Sequence, residues 1–454
     1  MPNIKKDDEF ILDIKRLGIN GEGIGFYNKL AVFVKDAIPG EGHNVKVTKV
    51  DNNMAFAKSL EIKTKVDYRK APECPYYNKC GGCNVMHINN DKVLSFKRDL
   101  VIESLTRYTK INPRSFEIKN TLSLNELNYR NRSQLSVVED EGEYKVAMIM
   151  EDSNIQIPID SCLIQNELLN RINNSICALL KKHNISIYSY KKSGVIRYLS
   201  IRVNRKNEAL VTLVCYENKD LTKLSEDILK IDGVVGVYKS TNKSLKSGAS
   251  IIGENVQLLC GKEFVIETLG NVKYKIYPDT FFQLNTTATE EMLKIVLKQA
   301  KLSFKERILD AYSGVGAIGL YLAHNAKEVI GIENNKASVV AANENAGLNN
   351  ISNAKFFQGD AGELLPKMVK DGLVFDVIVV DPPRTGLDER FIDAILESNV
   401  KRIIYISCNP STLAKNLNRL TAKYQVNSMI PLDMLPKTAH VETVCCLSRK
   451  NFEK

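Results

Sequence analysis

A chain of 454 residues is too long for a single hydrophobic core, so two or three domains are expected. Hydrophobic residues make up 44% and charged residues 26%, the balance of a folded globular protein, and no apolar run approaches the roughly 18 residues that a membrane-spanning helix needs. The net charge of +10 fits a polyanionic partner without identifying one. The opening Met1-Pro-Asn-Ile-Lys-Lys-Asp-Asp has no apolar signal region, so a cytoplasmic protein is expected. Ten cysteines in that compartment point to metal binding or catalysis rather than disulfides.

Residues 1–60 read as a small β module. Segments 10–14, 31–34 and 44–50 are strand-like, the last alternating apolar and polar, and Gly18, Gly21, Gly23, Gly25, Gly40 and Gly42 punctuate them as turns. That pattern gives a five-strand barrel of the kind that binds nucleic acid. Lys15, Arg16, Lys29, Lys35, Lys46 and Lys49 are interleaved; on charge alone a solvated face explains them as well as an RNA face. Gly21-Glu-Gly-Ile-Gly-Phe26 followed by Val34-Lys-Asp-Ala-Ile-Pro-Gly-Glu41 resembles the TRAM domain, an OB-like RNA-binding module.

Residues 61–275 read as a central α+β region that opens on Cys74, Cys80 and Cys83, a C-x5-C-G-G-C run. Gly81 and Gly82 let such a loop turn several sulfurs towards one point. Three thiolates leave one position open. Zinc with a distant ligand and a [4Fe–4S] cluster with a distant cysteine both fit, and His87 competes as a ligand. The spacing departs from the C-x2-C pair of zinc knuckles, which shifts weight to iron–sulfur. The fourth ligand stays open among Cys162, Cys177, Cys215 and Cys260, with Cys162 in the turn-like Pro158-Ile-Asp-Ser-Cys-Leu-Ile. Residues 91–108 carry a helical apolar stripe with Asp91 as the expected N-cap, and residues 166–183 carry another. Arg130 and Arg132, in a basic loop, are candidates for phosphate contact, with surface salt bridges as the equal alternative. Strands at 197–203, 208–215 and 234–238 complete a layer of helices on an antiparallel sheet.

From 276 to 454 the pattern becomes strand–helix–strand, an α/β arrangement. Arg307-Ile-Leu-Asp310 leads into Asp310-Ala-Tyr-Ser-Gly314-Val-Gly316-Ala-Ile-Gly319, glycines that let the backbone approach a ligand and open a helix. Glu333 ends the next strand, where it can accept ribose hydroxyls, and Asp360 follows another. A buried strand ends in Asp381-Pro-Pro-Arg384. Ile403, Ile404 and Ile406 form a last strand that stops at Ser407-Cys408-Asn409-Pro410, because Pro410 lacks an N–H and biases Asn409 to extended geometry. Cys408 thus sits at the carboxyl end of a strand, where open parallel sheets do chemistry. Taken alone it would be a buried core cysteine. A dehydrogenase shares the glycine loop and the ribose acid, but not Asp-Pro-Pro and Ser-Cys-Asn-Pro at successive strand ends.

That ordered set is similar to class I (Rossmann-like) S-adenosylmethionine methyltransferases. Asp-Pro-Pro-Arg, Ser-Cys-Asn-Pro and Pro436-Lys-Thr-Ala-His-Val-Glu442-Thr-Val444 together resemble the RNA uracil-5-methyltransferase family. The TRAM-like start and C-x5-C-G-G-C resemble its 23S ribosomal-RNA branch more than its transfer-RNA branch. The resemblance implies a [4Fe–4S] cluster on Cys74, Cys80, Cys83 and Cys162, cofactor contacts from Gln283, Tyr312, Gly314, Glu333, Asp360 and Asp381, a nucleophile in Cys408 and a base in Glu442. It also implies that Arg384 and Asp381 help hold the uracil. Ala317 and Ile318 stand where relatives often carry Asn and Phe, which leaves only a backbone contact at Ala317.

The implied chemistry is addition of the Cys408 thiolate to carbon 6 of uracil, methyl transfer to carbon 5, proton removal by Glu442 and elimination. It requires a flipped or single-stranded uridine and an available thiolate, so a lowered Cys408 pKa is expected. No DNA or membrane partner is expected, and a monomer is. The alternatives are the same reaction on transfer RNA, an adenine or guanine N-methyltransferase (disfavoured by Arg384 in place of an aromatic), a non-catalytic iron–sulfur RNA-binding protein, and a radical S-adenosylmethionine enzyme (disfavoured by the cysteine spacing).

Overall fold

The computed structural model describes residues 4–151, 153–189, 193–244 and 250–450. Strands β1 (Glu9–Leu17), β2 (Gly23–Tyr27), β3 (Leu30–Val34), β4 (Gly42–Asp51) and β5 (Met54–Thr64) close into a barrel in the order β1-β2-β3-β5-β4. Leu12 and Ile14, Val32 and Val34, and Val45 and Val47 point inward at the two-residue period of a strand and fill it. Phe26 and Ile11 remain on the outside.

After the cysteine loop, α1 (Asn90–Tyr108) begins one residue earlier than expected. Asn89, not Asp91, occupies the cap position, and no side-chain hydrogen bond is made there; Asp91 lies inside the first turn, where its charge suits the helix N-terminus. Val101 and Leu105 of α1 pack into the core of the C-terminal sheet, and Lys97 is fully buried in an ion pair with Asp433. The short β6 (Glu117–Ile118) joins that same sheet.

The central sheet is built from β7 (Arg132–Asp140), β8 (Glu143–Ile149), β9 (Gln156–Ile159), β10 (Ile196–Val203), β11 (Ala209–Cys215), β12 (Val234–Thr241) and β13 (Glu254–Gly261), in the order β13-β12-β11-β10-β7-β8-β9. It is antiparallel, as expected, except for β11 and β12, which are parallel. Helix α3 (Thr222–Leu229) carries the chain back between them, the crossover a parallel pair requires. Helix α2 (Glu167–Lys182) covers the sheet with Leu169, Ile172, Ile176 and Leu180, and Asn166 caps it by accepting from the Leu168 amide at 2.8 Å.

A hairpin of β14 (Val265–Leu269) and β15 (Val272–Ile276) and helix α4 (Thr286–Ala300) lead into the third unit. There β16 (Arg307–Ala311), α5 (Ala317–Ala323), β17 (Glu328–Glu333), α6 (Lys336–Leu348), β18 (Ala354–Gln358), α7 (Ala361–Lys370), β19 (Val377–Val380), α8 (Glu389–Glu397), β20 (Arg402–Ser407) and α9 (Pro410–Leu420) alternate, followed by β21 (Tyr424–Leu432) and β22 (Glu442–Arg449). The order is β18-β17-β16-β19-β20-β22-β21-β6. The strands from β16 to β20 are parallel, and β22 runs antiparallel to β20 and β21. Ile308, Val329, Val379 and Ile404 face one layer of helices and Leu309, Ile330, Ile378 and Ile403 the other, so both faces are buried, as a parallel sheet demands. The chain steps outward one way from β16 to β18 and the other way from β19, which puts a topological switch point between β16 and β19. Among the described residues no helix is long and apolar enough to cross a membrane.

Candidate active site

At that switch point the carboxyl ends of β16, β17 and β19 surround a cavity of about 450 Å³ lined by Gln283, Tyr312, Gly314, Glu333, Asn335, Ser338 and Asp381 among others. Tyr312 has φ 66°, a region that bulky side chains avoid and that persists where a surrounding structure enforces it. Its ring meets Phe391 edge-on at 5.9 Å. Glu333 is held ready: Oε2 accepts from the Gly314 amide at 3.1 Å and Oε1 from the Asn335 amide at 2.7 Å. Beneath the glycine turn, fully buried Asp310 accepts from the Gly319 amide at 2.8 Å while its Oδ1 has no partner; burial pushes its carboxyl up to about 7 against the pull of that hydrogen bond. In the sequence Asp310 reads only as a strand end. A carboxylate directly after Ile308-Leu309 was the available clue to an anchoring role.

Asp360 is not among the residues lining the cavity. The chain turns from β18 straight into α7, and the Asp360 carboxylate is taken up in capping it, accepting from the Glu363 amide at 3.2 Å. Asp360 thus caps α7 at the end of β18, and its expected cofactor contact is a proposal beside that capping role.

A second cavity, of about 580 Å³, is lined by Asp381, Pro382, Pro383, Arg384, Cys408, His440 and Glu442, with Phe281, Gln283 and Met434. Its core is a matter of register. Ser407 of β20 lies opposite Thr443 of β22, so one residue further along Cys408 and Glu442 stand side by side. Asn409 is extended (φ −138°, ψ 102°) and caps α9 by accepting from the Ser411 amide at 3.0 Å, while Pro410 occupies the first helical turn, where an amide is not needed. Glu442 Oε1 is sealed from solvent without a hydrogen-bond partner. Burial first, then Asp381, pushes the Glu442 carboxyl well above its ordinary range, with Arg384 opposing. Asp381 is itself raised to about 7 by burial, against a hydrogen bond from Gln283 Nε2 at 3.4 Å.

The expected lowering of the Cys408 pKa is not met. Burial, Glu442 and Asp381 push the thiol up to about 11, and Arg384 only partly offsets them. Arg384 is oriented by His440, whose Nδ1 lies 2.9 Å from its Nη2. Burial, then Arg384, pulls the His440 pKa down to about 4, so the neutral ring is the acceptor. His440 was noted in the sequence only as a neighbour of Glu442; nothing in its spacing pointed to Arg384.

The two cavities share a wall made of Phe281, Gln283, Asp381 and Pro383. Phe281 is 61% exposed there, a bare aromatic face in the segment 278–285, whose resemblance to the family implies contact with substrate and cofactor. The wall is fixed from the central sheet: Asn131 donates through its amide to the Leu284 carbonyl and through Nδ2 to the Gln283 carbonyl and Thr286 Oγ1, all at 2.9 Å. Its neighbours Arg130 and Arg132 line neither cavity; both are half-buried, and Arg130 Nε donates to the Arg132 carbonyl at 2.9 Å.

The four predicted cysteine ligands occupy one neighbourhood. Cys83 is pushed up to about 12 by burial and then by Cys162, Cys80 and Cys74, and Cys162 is raised by burial and Cys74, with Arg130 opposing in both cases. Cys177 and Cys215 are buried in the core of the central sheet, and Cys260 Sγ donates to the Ser225 carbonyl at 3.4 Å. The Gly82 amide donates to Cys80 Sγ at 3.3 Å, and a Cβ on Gly82 would stand 3.3 Å from that sulfur, so the loop is shaped around its thiols. Among the described residues no group of three or more His, Cys, Asp or Glu is arranged to hold a single metal ion. The donor set and the N–H···S bond fit a sulfur-ligated cluster.

Comparison with known proteins adds the following. The family model for tRNA (uracil-5-)-methyltransferase matches residues 89–450, and the TRAM domain matches residues 9–60. The chain is 37% identical over 452 residues to a protein of Listeria innocua named as an uncharacterized RNA methyltransferase, covering 98% of this chain and 99% of that one. It is also 37% identical to one of Bacillus anthracis with the same description, over 97% of each. Among solved structures, the Pyrococcus abyssi tRNA (uracil-54, C5)-methyltransferase in complex with S-adenosyl-L-homocysteine superposes with a TM-score of 0.76 at 28% identity, over 96% of this chain and 99% of that one.

Proposed function

The chain belongs to the tRNA (uracil-5-)-methyltransferase family, and on that premise we propose that it methylates carbon 5 of a uridine in RNA through a covalent adduct between Cys408 and carbon 6 of uracil. The observation that carries this reading is the pair of cavities with a common wall: one at the switch point, suited to an adenosyl cofactor, and one holding Cys408 beside Glu442. Bound S-adenosylmethionine supplies the methyl group and a positive sulfonium charge. Glu333 would hold the ribose, Tyr312 and the Gly314 turn shape the cavity, and Gln283 and Asp381 line both cavities, where the two ligands would meet.

Cys408, having lost its proton to solvent, adds through Sγ to carbon 6 as the carbon 5–carbon 6 double bond opens, and carbon 5 takes the methyl group, which would leave the cofactor as S-adenosylhomocysteine. The carbon 5 proton then passes to Glu442, which must be the ionised carboxylate at this step, the double bond re-forms, and the carbon 6–sulfur bond breaks to release Cys408 as the thiolate. Arg384, fixed by His440, stabilises the oxyanion character that the ring gains on addition. With the Cys408 thiol at about 11 in the resting site, its ionisation is a cost that the bound state must offset, and Arg384 is the nearby cation that favours the thiolate.

The RNA reaches this site along a groove lined by Arg16, Ile19, Phe26 and Lys29 of the barrel, Arg107 and Tyr108 of α1, and Pro410 and Ser411 beside Cys408. Exposed Phe26 offers a stacking face and the cations suit phosphates. The target proposed is a uridine of 23S ribosomal RNA, supported by the cysteine loop. Transfer RNA is the second reading, favoured by the extent of the likeness to a transfer-RNA enzyme that covers 96% of this chain. Cys74, Cys80, Cys83 and Cys162 would hold a [4Fe–4S] cluster with no step of its own in the reaction; about four irons per chain are expected in anaerobically purified protein, and stoichiometric zinc would overturn it.

The test is release of tritium from 5-tritiated uridine in ribosomal and in transfer RNA, with wild type beside Cys408→Ala. Release that depends on Cys408 supports the adduct, and the RNA that gives it identifies the target. Methyl transfer without release would refute carbon 5 as the acceptor.

A further inference from the structure

Asn84, the residue after Cys83, joins three parts of the chain that are distant in sequence. Its Oδ1 accepts from the Ala439 amide at 2.8 Å, and its own amide and that of Val85 both donate to the Lys437 carbonyl, at 3.1 and 3.2 Å. Its Nδ2 donates to the Asn20 carbonyl of the barrel. The next residue of that turn, Gly21, has φ 91°, and a Cβ there would stand 3.0 Å from the Asn84 side chain, so only glycine lets the turn close on it. Val85 and Ala439 also share a small apolar cluster with Leu17, Ile38, Ile88 and Val93.

The segment held in this way, residues 437–440, leads directly to Glu442 and contains His440. Lys437 within it has φ 68°, a conformation that persists where surrounding contacts over-determine it. The bonds from residues 84 and 85 are such contacts, and Tyr129 adds another by donating to the Pro436 carbonyl at 3.0 Å. The reaction described above gives Asn84 no part, yet it is the covalent neighbour of a thiol in the four-cysteine group and the hydrogen-bond neighbour of the base-bearing segment.

We propose that Asn84 is a positioning residue through which the four-cysteine loop holds segment 437–440, and thereby sets His440 and Glu442 against Cys408. The inference rests on the roles given above to Glu442 and Cys408. It follows that releasing Cys83, by oxidation of the thiols or loss of the group they hold, loosens the acceptor wall and leaves the cofactor cavity as it was.

The experiment is hydrogen exchange of full-length protein, read on peptides covering 437–441, with iron content and tritium release measured on the same samples. In Asn84→Ala the Ala439 amide loses its acceptor, and its exchange rises about tenfold, the loss of one buried hydrogen bond. The turnover number falls while KM for S-adenosylmethionine and iron content stay at wild-type values. Asn84→Asp keeps an oxygen for Ala439 and restores its protection, and this variant carries the test if Asn84→Ala does not fold. Stripping iron from wild type with EDTA and ferricyanide speeds exchange of 437–441, and adds nothing further in Asn84→Ala. Wild-type exchange of 437–441 in Asn84→Ala, or in the stripped wild type, overturns the proposal. Tritium release that is absent in wild type would refute the proposed chemistry, whereas the coupling is read separately from the exchange.

Discussion

The two sides of the shared wall are built differently. On the cofactor side Glu333 ends its own strand and is fixed by nearby backbone, the Gly314 and Asn335 amides, and Asp310 beneath the glycine turn is held by Gly319. On the acceptor side the groups come from separate stretches, Phe281 and Gln283, Arg384, Cys408, and His440 with Glu442, and are steadied from far upstream by Asn84, Tyr129 and Asn131. A Rossmann-like domain can form its cofactor cavity from its own strand–helix grammar. The reacting cavity exists only when the cysteine loop and central sheet are docked on it.

The two sides should fail independently of each other. Cys408→Ala should abolish methylation, on the order of 10⁴-fold or more, as loss of a nucleophile does. Calorimetry should still show S-adenosylhomocysteine bound with wild-type affinity; a matching loss of affinity would mean that the sides are not independent. Glu442→Gln should cost about 10²–10⁴-fold in turnover, the range for a general base, and let a protein–RNA adduct accumulate as a slow-migrating band. Normal turnover would remove Glu442 from the reaction.

The pH dependence sharpens the comparison. The Cys408 thiol is raised to about 11, so the thiolate is the minor form below that pH and its fraction grows as pH rises. The Asp381 carboxyl at about 7 and the raised Glu442 ionise in the same direction. The Cys408 ionisation alone should make kcat/KM climb about tenfold per pH unit from 7 to 9, any ionisation of Glu442 in that range steepens the climb, and the affinity for S-adenosylhomocysteine stays nearly flat. A profile already level at pH 7 contradicts a resting thiol. Smallest is Glu333→Gln, which should raise KM for S-adenosylmethionine about tenfold, the worth of one charged hydrogen bond, and leave KM for RNA unchanged.

The same division explains what was legible in the sequence. Strand ends at Asp310, Glu333, Asp381 and Cys408 could be read because apolar runs and the turn residues after them are local signals. The barrel was legible from its glycines and alternation. The capping role of Asp360 was not legible, because a carboxylate after a strand is the same signal whether or not the turn into α7 is tight enough for it to accept from the Glu363 amide. Arg130 and Arg132 could be read only as a basic pair, because a basic loop gives no sign of which way it faces. The upward shift of Cys408 comes first from burial and then from two carboxylates placed beside it at the ends of β19 and β22, and the pairing of His440 with Arg384 spans 56 positions. Asn84 carried no local signal at all, since its partners lie in the barrel and near the C-terminus.

The central claim is the bond between Cys408 and carbon 6, and RNA carrying 5-fluorouridine tests it most directly. Fluorine replaces the proton that Glu442 must remove, so the reaction should halt after methyl transfer with the RNA still attached. Mass spectrometry of the digested protein should then find the peptide containing Cys408 carrying a methylated fluorouridine, only when S-adenosylmethionine is present. Recovery of that peptide unmodified, from protein that methylates ordinary uridine at carbon 5, would contradict the account.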